Sequence, residues 1–239
     1  MPKSFALSPD PSFENAAGFP FGTKTLDQRG ISRLSAVEAL AIRALDMLVS
    51  LIALVALAPL LVLVCLLITL RNPGPVFFVQ RRMGRDGRTF RCFKFRTMVV
   101  DAEHRLAELL ANDPVARAEW ALDHKLRNDP RIIAGGDLLR KSSLDELPQL
   151  LNVLRGDMSI VGPRPIVESE IVRYGRYYDH YCAVRPGLTG LWQISGRNDV
   201  SYRRRVACDI SYARSKSLRT DLRIMFMTVP AVLMAKGSY

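Results

Sequence analysis

The chain has 239 residues, room for one medium domain and a tail, with 49% hydrophobic and 24% charged residues and a net charge of +11. So basic a surface suits nucleic acid, anionic lipid headgroups or a phosphorylated substrate, and charge alone does not choose among them. Cys65, Cys92, Cys182 and Cys208 form no CxxC or Cys/His spacing, which excludes a zinc site or disulfide frame and reads as reduced thiols facing a cytosol.

Residues 1–33 are rich in Pro, Ser, Gly and Phe without a period and are predicted to form a flexible tail. No apolar stretch occurs before about residue 36, so the start does not read as a signal peptide. A membrane-inserted helix is predicted over 34–71. Its centre, Met47 to Leu70, is 24 residues without a charge, long enough to span a bilayer. Pro59 divides it into limbs of 12 and 11 residues, each reaching roughly 17–18 Å, short of the ~30 Å hydrocarbon core. Proline removes a helix hydrogen bond and favours a bend. Arginines lie on both flanks, among them Arg43 before and Arg71, Arg81 and Arg82 after, which draws both ends to the cytoplasmic side. An ordinary kinked span remains the alternative to a re-entrant dip.

Asn72-Pro73-Gly74-Pro75 ends the helix. Val76 to Gln80 and Thr89 to Met98 read as strands around a turn at Gly84–Gly87. In the second strand Phe90, Cys92, Lys94 and Arg96 share a face. Lys94 and Arg96 would then lie about 7 Å apart, which fits two neighbouring phosphates and equally a solvated strand face. Asp101 to Ala111 is helical in pattern, and Asp113-Pro114 opens a second helix towards Arg127, closed by Asn128-Asp129-Pro130.

Leu147, Leu150, Leu151 and Leu154 follow helical spacing. Ser143 and Glu146 have the spacing of a capping box, and Pro148 fits only the first turn, so a helix is predicted to start within a residue or two of Asp145. Asp145 and Glu146 then sit at the positive end of a helix dipole, which favours their ionised forms. They are either plain helix stabilisers or a catalytic pair.

Gly162-Pro163-Arg164-Pro165 holds an arginine in a stiff loop suited to bidentate phosphate contact. Arg185-Pro186-Gly187 and Gly196-Arg197 place arginines beside proline or glycine again, as phosphate loops or as mere turns. Tyr174, Tyr177, Tyr178 and Tyr181 have helical spacing and read as packing or an interfacial aromatic belt. Ile224 to Ala235, apolar with Pro230 inside, is too short to span and reads as an interfacial or core segment.

Taken in order, Pro73-Gly74-Pro75-Val76-Phe77, Gln80-Arg81-Arg82-Met83-Gly84, Lys94-Phe95-Arg96-Thr97-Met98, Ser143 to Gln149, Gly156-Asp157-Met158-Ser159, Gly162 to Pro165 and Arg185 to Gly190 resemble the bacterial sugar transferase family, the monotopic polyprenyl-phosphate phosphoglycosyl transferases. The resemblance covers roughly residues 40–239. It implies an α+β, mainly helical fold with a small β element, amphipathic interfacial helices and a re-entrant membrane helix bent at proline, with 72–239 as one cytoplasmic catalytic region on the bacterial inner membrane.

The resemblance further implies transfer of a hexose-1-phosphate, galactose or glucose favoured, from a UDP-sugar to undecaprenyl phosphate, as the first step of exopolysaccharide assembly. UMP leaves, and the route passes through a covalent phosphosugar–aspartyl intermediate with Mg²⁺. By the family pattern Asp145 is the nucleophile and Glu146 a metal ligand. Lys94, Arg96, Arg164, Arg185 and Arg197 are implied substrate-binding residues, and Asp209 is a weaker metal candidate. The partners implied are the UDP-sugar, undecaprenyl phosphate and the bilayer, and no nucleic acid. Two departures stand out: the bend, often Ser-Pro in the family, is Ala58-Pro59 here, and the multi-span region of larger members does not precede it, as in short exopolysaccharide-initiating members. The competing class is a non-enzymatic, membrane-anchored basic protein that binds anionic lipid or nucleic acid.

Overall fold

The computed structural model describes residues 34–123, 126, 128–195 and 201–233; the 1–33 tail and Arg197 lie outside them. The described chain is mostly helical with two small sheets. In order it forms α1 (Ala36–Arg71), β1 (Phe77–Met83), β2 (Thr89–Phe95), α2 (Ala102–Asn112), α3 (Pro114–Asp123), α4 (Gly136–Lys141), α5 (Gln149–Arg155), β3 (Ser159–Val161), α6 (Ile171–Tyr174), α7 (Tyr178–Cys182), β4 (Gly187–Thr189), α8 (Leu191–Ile194), α9 (Tyr202–Ser215) and α10 (Leu218–Leu233).

α1 starts at Ser35, whose side chain accepts from the Glu38 amide, and runs through Pro59 to Arg71. One stripe of it is buried, with Ile42, Asp46 and Ser50 in its first half and Val64 and Ile68 in its second. The opposite face leaves Leu48, Leu51, Ile52, Val55, Leu63 and Leu66 more than half exposed, an apolar surface far too continuous for water. Both ends dock on the same body. Near the start, Arg43 donates to the carbonyls of Val153 and Leu154 at 2.7 and 2.9 Å, closing the C-terminus of α5. Asp46 Oδ1 accepts from Ser159 Oγ and the Ile160 amide, and Glu38 accepts from the Leu218 amide at the start of α10. Near the finish, Val64 and Ile68 pack with Phe95 and Ile133.

β1 and β2 form an antiparallel hairpin pairing Phe78 with Lys94, Gln80 with Cys92 and Arg82 with Phe90. The first strand is longer than expected and the second stops at Phe95. Beyond it Arg96 leaves the ladder, and Met98 makes only an isolated bridge to Ile132. Asp113 Oδ1 caps α3 through the amides of Val115 and Ala116, with Pro114 first in the helix. β3 and β4 pair in parallel across the α6–α7 crossover. That sheet closes only because Gly162, Gly187 and Gly190 lack side chains: a Cβ on any of them would run into backbone of the facing strand or loop.

The main core gathers Leu150, Val153, Met158, Val161, Trp192 and Ile224 from α5, β3, α8 and α10. The tyrosine series packs as expected: Tyr174 and Tyr181 are buried in a second cluster with Met83 and Ile166. α10 buries Ile224 and exposes Leu222, Phe226 and Val229, the pattern of a helix with one face on the protein.

Candidate active site

The acidic pair does not begin a helix. Pro148 has no N–H to bond the Leu144 carbonyl, so a regular turn cannot form there. A 3-10 turn over Leu144–Glu146 forms instead, and α5 starts only at Gln149. Ser143 is left-handed, φ 58°, and its side chain caps nothing, so the expected capping box is absent. The turn presses both carboxylates against β2. Lys94 Nζ lies 2.6 Å from Glu146 Oε1 and 3.8 Å from Asp145 Oδ2.

Asp145 is 8% exposed. Burial, reinforced by the Glu146 charge, raises its pKa to about 6 against the pull of Lys94, Arg140 and Arg164. Burial acts on Glu146 as well, but Lys94 and Arg164, together with the Lys94 hydrogen bond, outweigh it and lower its pKa. The two neighbours are thus driven apart: the cations favour the anionic form of Glu146, and burial makes Asp145 an unusually basic carboxylate.

A narrow pocket opens beside them, lined, among others, by Arg82, Cys92, Lys94, Glu146, Gln149, Arg164 and Gln193. Arg164 arrives on the loop that follows β3. That loop is tied to β1 by the Met83 amide on the Ile166 carbonyl at 2.8 Å and by Arg82 Nη1 on the Pro165 carbonyl at 3.0 Å. Tyr181 Oη bridges the same seam, donating to the Met83 carbonyl and accepting from the Ile166 amide.

Of the residues expected at the site, Lys94, Asp145, Glu146 and Arg164 come together. Arg96 does not join Lys94. It is buried, and its guanidinium holds the carbonyls of Asn72 and Pro73, closing the end of α1. Arg185 donates to the Gly156 carbonyl and does not line the pocket. Asp209 is buried on α9, accepts from Tyr174 Oη at 2.7 Å and does not line the pocket. Arg197 lies outside the described residues. Three residues went unread in the sequence: Arg82, Gln149 and Arg140. Arg82 carried a signal, because the turn at 84–87 puts it on the hairpin face of Cys92 and Lys94. Arg140, an exposed residue near the end of α4, carried none.

The sequence profile of the bacterial sugar transferases matches residues 37–235. The chain belongs to the bacterial sugar transferase family. It is 55% identical over 169 residues to the undecaprenyl-phosphate galactose phosphotransferase of Salmonella typhimurium, covering 71% of this chain but 36% of that one. It is 53% identical over 173 residues to the exopolysaccharide production protein ExoY of Sinorhizobium fredii, covering 72% and 76%. It is 37% identical over 214 residues to the UDP-glucose:undecaprenyl-phosphate glucose-1-phosphate transferase of Escherichia coli, covering 86% and 43%. The chain therefore spans little more than a third of the Salmonella relative and about three quarters of ExoY.

Proposed function

We propose that this sugar transferase moves a hexose-1-phosphate from a UDP-sugar to undecaprenyl phosphate, with Asp145 as the covalent relay. The observation that carries the reading is that Lys94, which lines a basic pocket with Arg82, Glu146 and Arg164, is paired with both Asp145 and Glu146. A carboxylate attacks phosphorus only where the charge of the diphosphate is masked and the nucleophile is held in place. Asp145 Oδ forms a bond to the sugar-bearing phosphorus as the bond to the departing UMP oxygen breaks. An oxygen of the lipid phosphate then attacks the same phosphorus, freeing Asp145 and yielding the lipid diphosphate sugar. Lys94 orients both carboxylates and, with Arg164, neutralises the phosphoryl oxygens.

Mg²⁺ fits the donor set. No group of three or more metal-ligating side chains occurs among the described residues, but Mg²⁺ needs only one or two carboxylates when substrate phosphates complete its shell. Glu146, kept anionic, is the ligand we assign, with Asp145 adjacent; when bound, the ion masks charge on the diphosphate. Asp209, hydrogen-bonded to Tyr174, is not part of this set.

The membrane arrangement belongs to the same reading. Both ends of α1 rest on one body, so we infer that the helix enters and returns through one leaflet, with the site at headgroup depth on the cytoplasmic face of the inner membrane. Galactose and glucose are the favoured hexoses, by similarity to the named relatives. The test is UMP release from a panel of UDP-sugars by the full chain in nanodiscs with undecaprenyl phosphate and Mg²⁺. Capture of radiolabelled sugar phosphate on the protein in the absence of lipid supports the relay. Absence of UMP release with every donor would sink the enzyme reading in favour of a basic lipid-binding protein.

A further inference from the structure

Arg205 is one turn before Asp209 on α9 and is used by nothing in the reaction described above. Its guanidinium carbon lies 4.2 Å from the ring centre of Trp192 and 5.5 Å from that of Tyr202. Trp192 is itself buried, 2% exposed, so the cation sits over a fixed aromatic platform. The residue after Trp192, Gln193, lines the pocket together with Arg164. Nε of Arg205 is buried without a hydrogen-bond partner, as is Oε1 of Gln193. Arg164 likewise makes no hydrogen bond or ion pair among the described residues. Burial, followed by the charge of Arg164, disfavours the cation on Arg205, and Asp209 offsets this only in part, since that carboxylate already accepts from Tyr174.

Two half-buried guanidiniums close enough for their charges to oppose each other, with donors the described residues leave unfilled, are an arrangement that a phosphate satisfies, because its oxygens accept from planar forks on two sides. We propose that Arg205, stacked on Trp192, forms with Arg164 a second phosphate subsite beyond the one at Lys94 and Glu146. This rests on the function proposed above and deepens it. Transfer between a diphosphate donor and a phosphate acceptor involves one phosphate at the acidic pair and a further phosphate beside it. The subsite takes that further phosphate, which comes either from the nucleotide or from the polyprenyl acceptor.

The experiment compares wild type, Arg205→Gln, Arg205→Lys and a control at the adjacent exposed arginine, Arg204→Gln, all as full chains in nanodiscs. One arm measures KM for UDP-sugar in lipid-independent UMP release, and the other KM for polyprenyl phosphate in the complete reaction. Arg205→Gln is expected to raise one of the two KM values about tenfold with kcat within about twofold, the size of a lost charged hydrogen bond. Arg205→Lys, which keeps charge but not the planar fork, is expected to recover part of it, and Arg204→Gln to change neither. The arm that moves identifies the source of the phosphate. If wild type is active while Arg205→Gln and Arg205→Lys leave both KM values unchanged, or if only kcat falls, the subsite is overturned. Should Arg205→Gln fail to fold, Arg205→Lys alone decides by the same KM criterion. Wild type inactive with every donor would instead sink the functional reading on which the subsite depends.

Discussion

Two buried acid sites lie within this body, and they differ in what faces them. At the turn before α5, Asp145 and Glu146 meet Lys94 and Arg164 beside an open pocket. On α9, Asp209 meets the hydroxyl of Tyr174, with Arg205 beside it. Burial raises the pKa of both aspartates, to about 6 for Asp145 and about 7 for Asp209. What separates them is access and cationic company. The first site sets its cations beside a pocket where they can meet a phosphate; Asp209 has a fixed hydrogen bond from Tyr174 and does not line that pocket. A shifted pKa therefore does not mark a reacting group unless a pocket and counter-charges accompany it.

The sharpest way to break the comparison is at the first site. Asp145→Asn keeps the shape and removes the nucleophile, so UMP release is expected to fall by at least about 10³-fold. The thermal midpoint should hold or rise slightly, because a carboxylate that burial disfavours has gone. Unchanged turnover in Asp145→Asn would remove it from the relay. Lys94→Met comes next. It leaves two buried carboxylates facing each other without their cation, so activity is expected to fall about 10²-fold, with a loss of stability that Asp145→Asn does not show. Chemical denaturation of the two variants side by side separates these effects.

The contrast was only half legible in the chain. The apolar run with Pro59, the hairpin turn and the stiff Pro-Arg-Pro loop follow from local rules of length, period and backbone freedom, and the structure keeps them. The capping box at Ser143 did not form, because the missing N–H of Pro148 outweighs a side-chain cap and moves the helix start to Gln149. The arginines were harder still. Arg164 and Arg185 sit beside stiff backbone and Arg96 shares the strand period of Lys94, yet Arg96 and Arg185 spend their guanidiniums on carbonyls at Asn72, Pro73 and Gly156. Which arginine has carbonyls within reach depends on how α1 and the loop at Gly156 come to rest against the body. Local pattern carries no record of that. Arg82 is the intermediate case: strand period alone puts it on the face of Lys94, but its grip on Pro165 is purely tertiary.

The smallest effect on turnover is expected at Asp209→Asn, and it bears most directly on why the second site is structural. In the fold the acid has its pKa raised to about 7 from an ordinary 3.8. The native state therefore holds a proton between those values that the unfolded chain releases, and the contribution of this group to stability falls as pH rises from about 4 to about 7. Asparagine cannot ionise and still offers an oxygen to Tyr174 Oη. The variant is expected to keep turnover within about threefold of wild type, while the decline of its unfolding midpoint between pH 5 and 8 becomes shallower. A turnover loss comparable to that of Asp145→Asn, restored by raising Mg²⁺, would mean that Asp209 serves the metal after all. A pH slope identical to wild type would mean that the carboxyl is solvated in a way its burial against Tyr174 does not allow.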